Sequence, residues 1–378
     1  MPLSTDLVTQ QLITVDIIQY IQEVIKNTST PSWVNTVPKN YGEASAGTIK
    51  ADEWRILSTV YLPIAFITLW GFENGHCPGE NNHNLQILNH TMALFQAVII
   101  MCRDAMSVDC ATRYRELIKH WIADLHRLHP ETLKHKNRDN VHTALHLYDF
   151  AILFGAVMSW WCFPFEHLIG TLQDINTNDL VGGEKFYHCL CFYSYNNVGP
   201  LEQTIVRSFT RGANLRWWLN RDDCPEALRQ FKLLFDKAFS RKPQKDEKYH
   251  SRRTEVAHIT YNGINYSRAT THLGNSLVLY YPQASPTTST AGSIEKIMVC
   301  GTVVQLSIRR QMQLPPGSYD PFLQYSSFPA RLYSAEMDSG SLDIVPLTSV
   351  LSHVARYIFV NQAVILNLSR VRFFSDRR

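Results

Sequence analysis

No C-x-x-C pair, Gly-rich phosphate loop, G-x-S-x-G elbow or Cys/His run at zinc-finger spacing occurs anywhere in the 378 residues. These absences remove zinc ribbons, thioredoxin-like redox chemistry, P-loop nucleotide binding and the commonest serine hydrolases from consideration. Strong net charge is lacking too: 36 Lys and Arg against 33 Asp and Glu leave +3. Any affinity for nucleic acid must therefore come from local basic patches. The opening residues, MPLSTDLVTQQ, lack the basic-then-apolar build of a secretion signal. Eight scattered cysteines then read as thiols in a reducing compartment. There is no internal repeat and no long low-complexity tract.

What is present is a foldable chain. Hydrophobic residues make up 45% and charged residues 18%, enough for two or three compact domains. One apolar run, Ala144 to Phe165, is long enough to span a bilayer. His146 and Asp149 sit inside it, and Gly155 and Pro164 interrupt it, so it reads as a buried core helix entering a turn.

The first ~240 residues carry helical spacing, with segments at Leu7–Ile25, Ile49–Gly71, Leu85–Cys102, Ala111–Leu128 and Val141–Ser159. Pro63 is expected to kink or split the second of these. Residues 1–49 form an N-terminal helix and loop, 50–240 a helical region, and 241–253 a basic linker. From 254 to 378 the texture becomes β-rich, with short runs separated by turn chemistry such as PQASPTTSTAGS and LPPGSYDP. The fold class expected is α+β: a predominantly helical region followed by a small antiparallel barrel or sandwich.

Three glutamates lie at helix starts. Glu166 follows Pro164 in SWWCFPFEHLIGTLQ, while Glu53 sits in KADEWR and Glu202 in LEQTIVRSF. The helix dipole favours an acid at each such place without any function. The same position also suits a metal-binding carboxylate. His142 and His146 stand at i, i+4 and share a helix face, but no third ligand or general base lies between them. Arg207, Arg211 and Arg216 stand beside Trp217 and Trp218. With Lys242, Lys245, Arg252 and Arg253 of the linker, they form the basic patches able to meet phosphates and stack on bases.

Several blocks together resemble one family. They are TPSWVNTVPKNYGEASAGTIKADEWRILSTVYLPIAFITLWG, FGAVMSWWCFPFEHLIGTLQ and LEQTIVRSFTRGANLRWWL, with GNSLVLYYP, GSIEKIMV and YDPFLQYSSFPARLYS in the tail. In this order they resemble transposases of fungal mobile elements related to the CACTA (En/Spm-like) group, over most of the chain from Thr30. That resemblance implies a ribonuclease-H-like fold with a helical insertion. It implies two Asp and one Glu holding two Mg²⁺ or Mn²⁺ ions for phosphodiester attack. It also implies DNA as partner and the nucleus, otherwise the cytoplasm, as location; a homo-oligomer is a further expectation, and the reading of Ala144 to Phe165 leaves no membrane partner. Glu166 then becomes the inherited metal-binding Glu, with Glu202 and Glu53 as alternatives.

The departures are equally informative. The family's two aspartates belong on strands upstream of the TPSW block, where only Asp6 and Asp16 stand here. The chain therefore resembles the C-terminal part of such an enzyme, catalytically incomplete alone. Lys185 to Pro200 interrupts the family pattern and reads as an insertion, an intron retained in frame. His167 stands where the family has Arg.

Overall fold

The structure, a computed structural model, describes residues 15–162 and 254–369, except 74, 131, 133–138, 284 and 286, together with six isolated positions between 210 and 230. The chain's contacts divide into two units, Met1–Ser159 with Tyr249–Arg378, and Trp160–Lys248. The first unit contains both sheets.

The helices of that unit are α1 (Val15–Asn27), α2 (Ala51–Ile56), α3 (Leu62–Trp70), α4 (His83–Met101), α5 (Val108–Leu128) and α6 (Asp139–Phe154). Local chemistry sets their starts. The Asn82 side chain accepts from the Asn84 and Leu85 amides at 2.9 and 3.2 Å, and the Ser107 hydroxyl accepts from Cys110 at the start of α5. Each satisfies amides that a helix start leaves without partners. Pro63 does not break its segment. It lacks an amide to donate back into the helix, and the five residues ahead of it, Leu57–Tyr61, widen into a π turn. The helical path thus runs on from α2 into α3 with its hydrogen-bond register changed. None of the described helices is long and apolar enough to cross a membrane.

The sheet region is mixed in with these helices and wholly antiparallel. Its strands are β1 (Thr254–Val256), β2 (His258–Tyr261), β3 (Ile264–Ser267), β4 (Leu277–Tyr280), β5 (Thr290–Cys300), β6 (Val303–Gln313), β7 (Ala330–Met337), β8 (Asp343–Pro346), β9 (Val350–Phe359) and β10 (Gln362–Asn367). A single helical turn, α7 (Leu273–Ser276), precedes β4. β2 and β3 form a separate hairpin around Asn262-Gly263, both at positive φ as a tight two-residue turn demands. In the larger sheet the pairings run β5–β4–β9–β10–β7–β6 and return from β6 to β5, with β1 and β8 added outside β5 and β6.

The principal core lies between helices and sheet. Ile21, Val24 and Ile25 of α1, nine apolar residues between Ile56 and Ile67, and Leu85, Leu88, Met92 and Phe95 of α4 pack in one cluster with Ala330, Leu332, Ala355, Tyr357, Val364 and Leu366. Strand alternation explains the last six. Ala330, Leu366 and Ala355 stand opposite one another across three strands, as do Leu332, Val364 and Tyr357. Their neighbours Val354 and Ile365 point to the other face, into a second cluster with Leu277 and Ala291. Each large side chain so buried stabilises the fold by about 1.5–3 kcal/mol. A third cluster, built from Ala97, Ile100, Tyr114, Leu117 and Ile118 among others, joins α4, α5 and α6.

Candidate functional site

Most of the residues singled out by sequence lie outside the described residues: Glu166, Glu202, Arg207, Arg211, Arg216, Lys242, Lys245, Arg252 and Arg253, with Asp6 and the 185–200 segment. Glu53 is described, and its role is local. It is the third residue of α2, and its Oε2 accepts from the Lys50 backbone amide at 2.7 Å, the reach-back of a capping box. Its neighbour Asp52 accepts from Asn35 Nδ2 at 2.6 Å and pairs with Arg55 at 2.7 Å. Asp16 stands in the first turn of α1 and not on a strand. Among the described residues no three His, Cys, Asp or Glu side chains converge to hold a metal ion. His142 and His146 do meet, Nε2 to Nε2 at 3.1 Å on α6.

The geometry is densest where blocks far apart in sequence come together. The segment after α1 is bridged to β9 by two backbone hydrogen bonds between Ser29 and Arg356, at 2.8 and 3.0 Å. The Ser32 amide donates to Asn275 Oδ1 at 2.8 Å, and the indole N–H of Trp33 donates to His353 Nδ1 at 3.3 Å. His353 is 2% exposed, stacks on Tyr266 at 4.7 Å, and meets the Asn275 carbonyl through Nε2 at 3.1 Å. Accepting at Nδ1 requires the proton on Nε2, so the ring is neutral and donates to Asn275. Burial drives its pKa down to about 4, against the weaker opposing pull of the Asn275 carbonyl. Gly274 lies so close to this strap that a Cβ would stand 1.8 Å from the Thr30 carbonyl oxygen. Only glycine fits there.

A second meeting point joins the tail block YDPFLQYSSFPARLYS to the helices. Phe322 and Phe328 enter the principal core, the Tyr325 hydroxyl donates to Asn89 at 2.8 Å, and the Ser327 amide donates to the buried Gln96 at 3.1 Å. Asp320 organises the turn by accepting from the Phe322 and Leu332 amides at 2.9 and 3.0 Å. Burial nonetheless raises its carboxyl above the usual range.

Beside the first meeting point opens a pocket of about 130 Å³, lined by Trp33, Asn35, Arg55, Ile99, Arg103 and Leu368 among others. It combines an apolar floor with guanidinium and amide edges. Two of those edges are already engaged, since Asn35 and Arg55 both bond to Asp52. Its polar lining groups, Asn35, Arg55, Thr59, Arg103, Asn367 and Ser369, have no motif spacing; the first three fall within the block that begins at Thr30.

No known protein family, curated protein or solved structure matches this chain.

Proposed function

We propose that this is a transposon-derived protein that resembles the C-terminal half of a DDE-type DNA transposase, binds DNA through its basic patches, and does not cut DNA by itself. The observation that carries the reading is the convergence of the resembling blocks. TPSW at Thr30–Trp33, GNSLVLYYP at 274–282 and YDPFLQYSSFPARLYS at 319–334 are remote in sequence, yet each is tied by hydrogen bonds or core packing to a neighbour in the same unit. Blocks kept in order and locked together are what one inherited architecture supplies. On this reading the ring of strand pairings is a small barrel packed on the helices, and Glu166 is the position of the family's final metal-binding glutamate.

The proposed lack of cutting follows from ligand count. In the family that the chain resembles, two-metal phosphodiester attack uses two strand-borne aspartates besides that glutamate. Asp16 is helical, and Glu53 is engaged as a cap. Where the two aspartates are supplied by another chain, Mg²⁺ or Mn²⁺ would bind between them and Glu166. The test is a nicking assay on supercoiled DNA with the purified chain and Mn²⁺. No cleavage is expected. Cleavage that Glu166→Gln abolishes would replace this reading with that of a self-sufficient nuclease.

A further inference from the structure

We propose that the outer face of α6 carries a binding site for a borderline-soft divalent cation of the zinc, nickel or copper class, held by His142 and His146 through Nε2. The site is independent of the transposase reading and of its Mg²⁺ or Mn²⁺ ions, and three observations at one turn of helix support it. The first is separation. The two Nε2 atoms lie 3.1 Å apart. Two imidazole nitrogens bound at about 2.0–2.1 Å to one tetrahedral zinc are separated by about 3.3 Å, so the rings need to tilt toward a shared ion but not to move apart. The i, i+4 spacing produces this because such residues lie one above the other on a helix.

The second is orientation. Asp149, three residues on, places Oδ2 at 3.5 Å from the other ring nitrogen of His146, Nδ1. A carboxylate there holds the proton on Nδ1 and leaves the Nε2 lone pair outward, the arrangement by which carboxylates orient metal-binding histidines. His142 then donates its Nε2 proton to His146 in the metal-free state. On binding, His142 changes tautomer through solvent, its single ring proton moving from Nε2 to Nδ1, so that both Nε2 lone pairs face the metal.

The third is access. His146 and Asp149 side chains are 50% and 59% exposed, and His142 is also exposed. The ion reaches both rings from solvent without crossing buried protein. Since no third ligand converges among the described residues, water completes the coordination. Imidazole donors select this class of metal over magnesium, calcium and manganese, which prefer oxygen.

The test is calorimetric titration of the full chain with Zn²⁺ and with Mg²⁺, for the wild type, His142→Ala, His146→Ala and the double variant. Fifteen histidines and eight cysteines can give other sites, so the readout is the difference between proteins. We expect one Zn²⁺-binding event to weaken on the order of 100-fold in either single variant, because the second imidazole acts as an intramolecular ligand. The double variant should lose no more than either single one, and Mg²⁺ should not bind at this site. Asp149→Asn should weaken the same event by a smaller factor. Thermal melts without metal should be alike for all the proteins, since the altered side chains are exposed. Identical Zn²⁺ isotherms across the set, or losses in the two single variants that add in the double, would overturn the proposal.

Discussion

Trp33 and His353 are joined by a hydrogen bond across 320 residues of sequence, indole N–H to Nδ1 at 3.3 Å. That bond, with the one from Nε2 to Asn275, fixes the imidazole as neutral and ties the segment after α1 to the middle of the sheet.

The consequence is a pH dependence with a definite sign. In the unfolded chain this histidine titrates at 6.5, and in the folded chain burial lowers it to about 4. Between these values the unfolded state binds more protons, so stability is fully present above about pH 6.5 and lost as pH falls toward 4. The depression corresponds to about 3 kcal/mol. Urea unfolding at pH 7 and pH 4 should show the wild type losing about that much more than His353→Gln, which cannot titrate. Equal losses in the two proteins would show that His353 does not set the acid limit.

Gly274 tests the same junction, with Gly79, in the loop before α4, as a control. Gly274→Ala pushes a methyl into the Thr30 carbonyl, where backbone and not a flexible side chain must yield. The expected cost is about 3 kcal/mol, at the upper end for overpacking. Gly79→Ala meets nothing within 4 Å and has no positive φ. It should leave the unfolding midpoint within experimental error, so a similar loss for both would refute the close approach.

Glu53 tests whether a carboxylate at a helix start is a cap. Replacing it with alanine frees the Lys50 amide from its 2.7 Å partner. The expected loss is about 0.5–1 kcal/mol of stability, read from chemical unfolding, with DNA affinity unchanged. A change in DNA affinity with no loss of stability would restore Glu53 to the functional candidates.

How much of this was legible in the sequence differs by element. Helical periodicity located α4 and α5 to within a few residues, because their apolar stripes are broad and their caps, Asn82 and Ser107, are local chemistry. The antiparallel character of the tail was expected from its short β-rich runs separated by turn chemistry, and the structure adds a hairpin inside one of those runs, turning at Asn262-Gly263. Strand β9 was not anticipated, although it pairs with both β4 and β10 at the centre of the sheet. Its run, VLSHVARYIF, turns His353 inward and holds Arg356 against Gln311, so its pattern lacks clean apolar alternation. The core shared by helices and sheet was equally hidden. Periodicity marks which face of α1 or α4 is apolar, but says nothing of what covers it, and here residues beyond 320 do so. The consequence of Pro63 was foreseen as a kink or split and realised as a π turn.

The central claim is DNA binding by the basic patches. Its most direct test is fluorescence anisotropy of the complete chain with a labelled DNA duplex, repeated across a salt series. With several phosphates neutralised, affinity should fall on the order of 10³-fold between about 50 and 200 mM salt. Substituting Arg207, Arg211 and Arg216 together by alanine should lower the log–log salt slope by about 3. No binding at low salt, or an affinity that neither salt nor this triple substitution alters, would contradict the account.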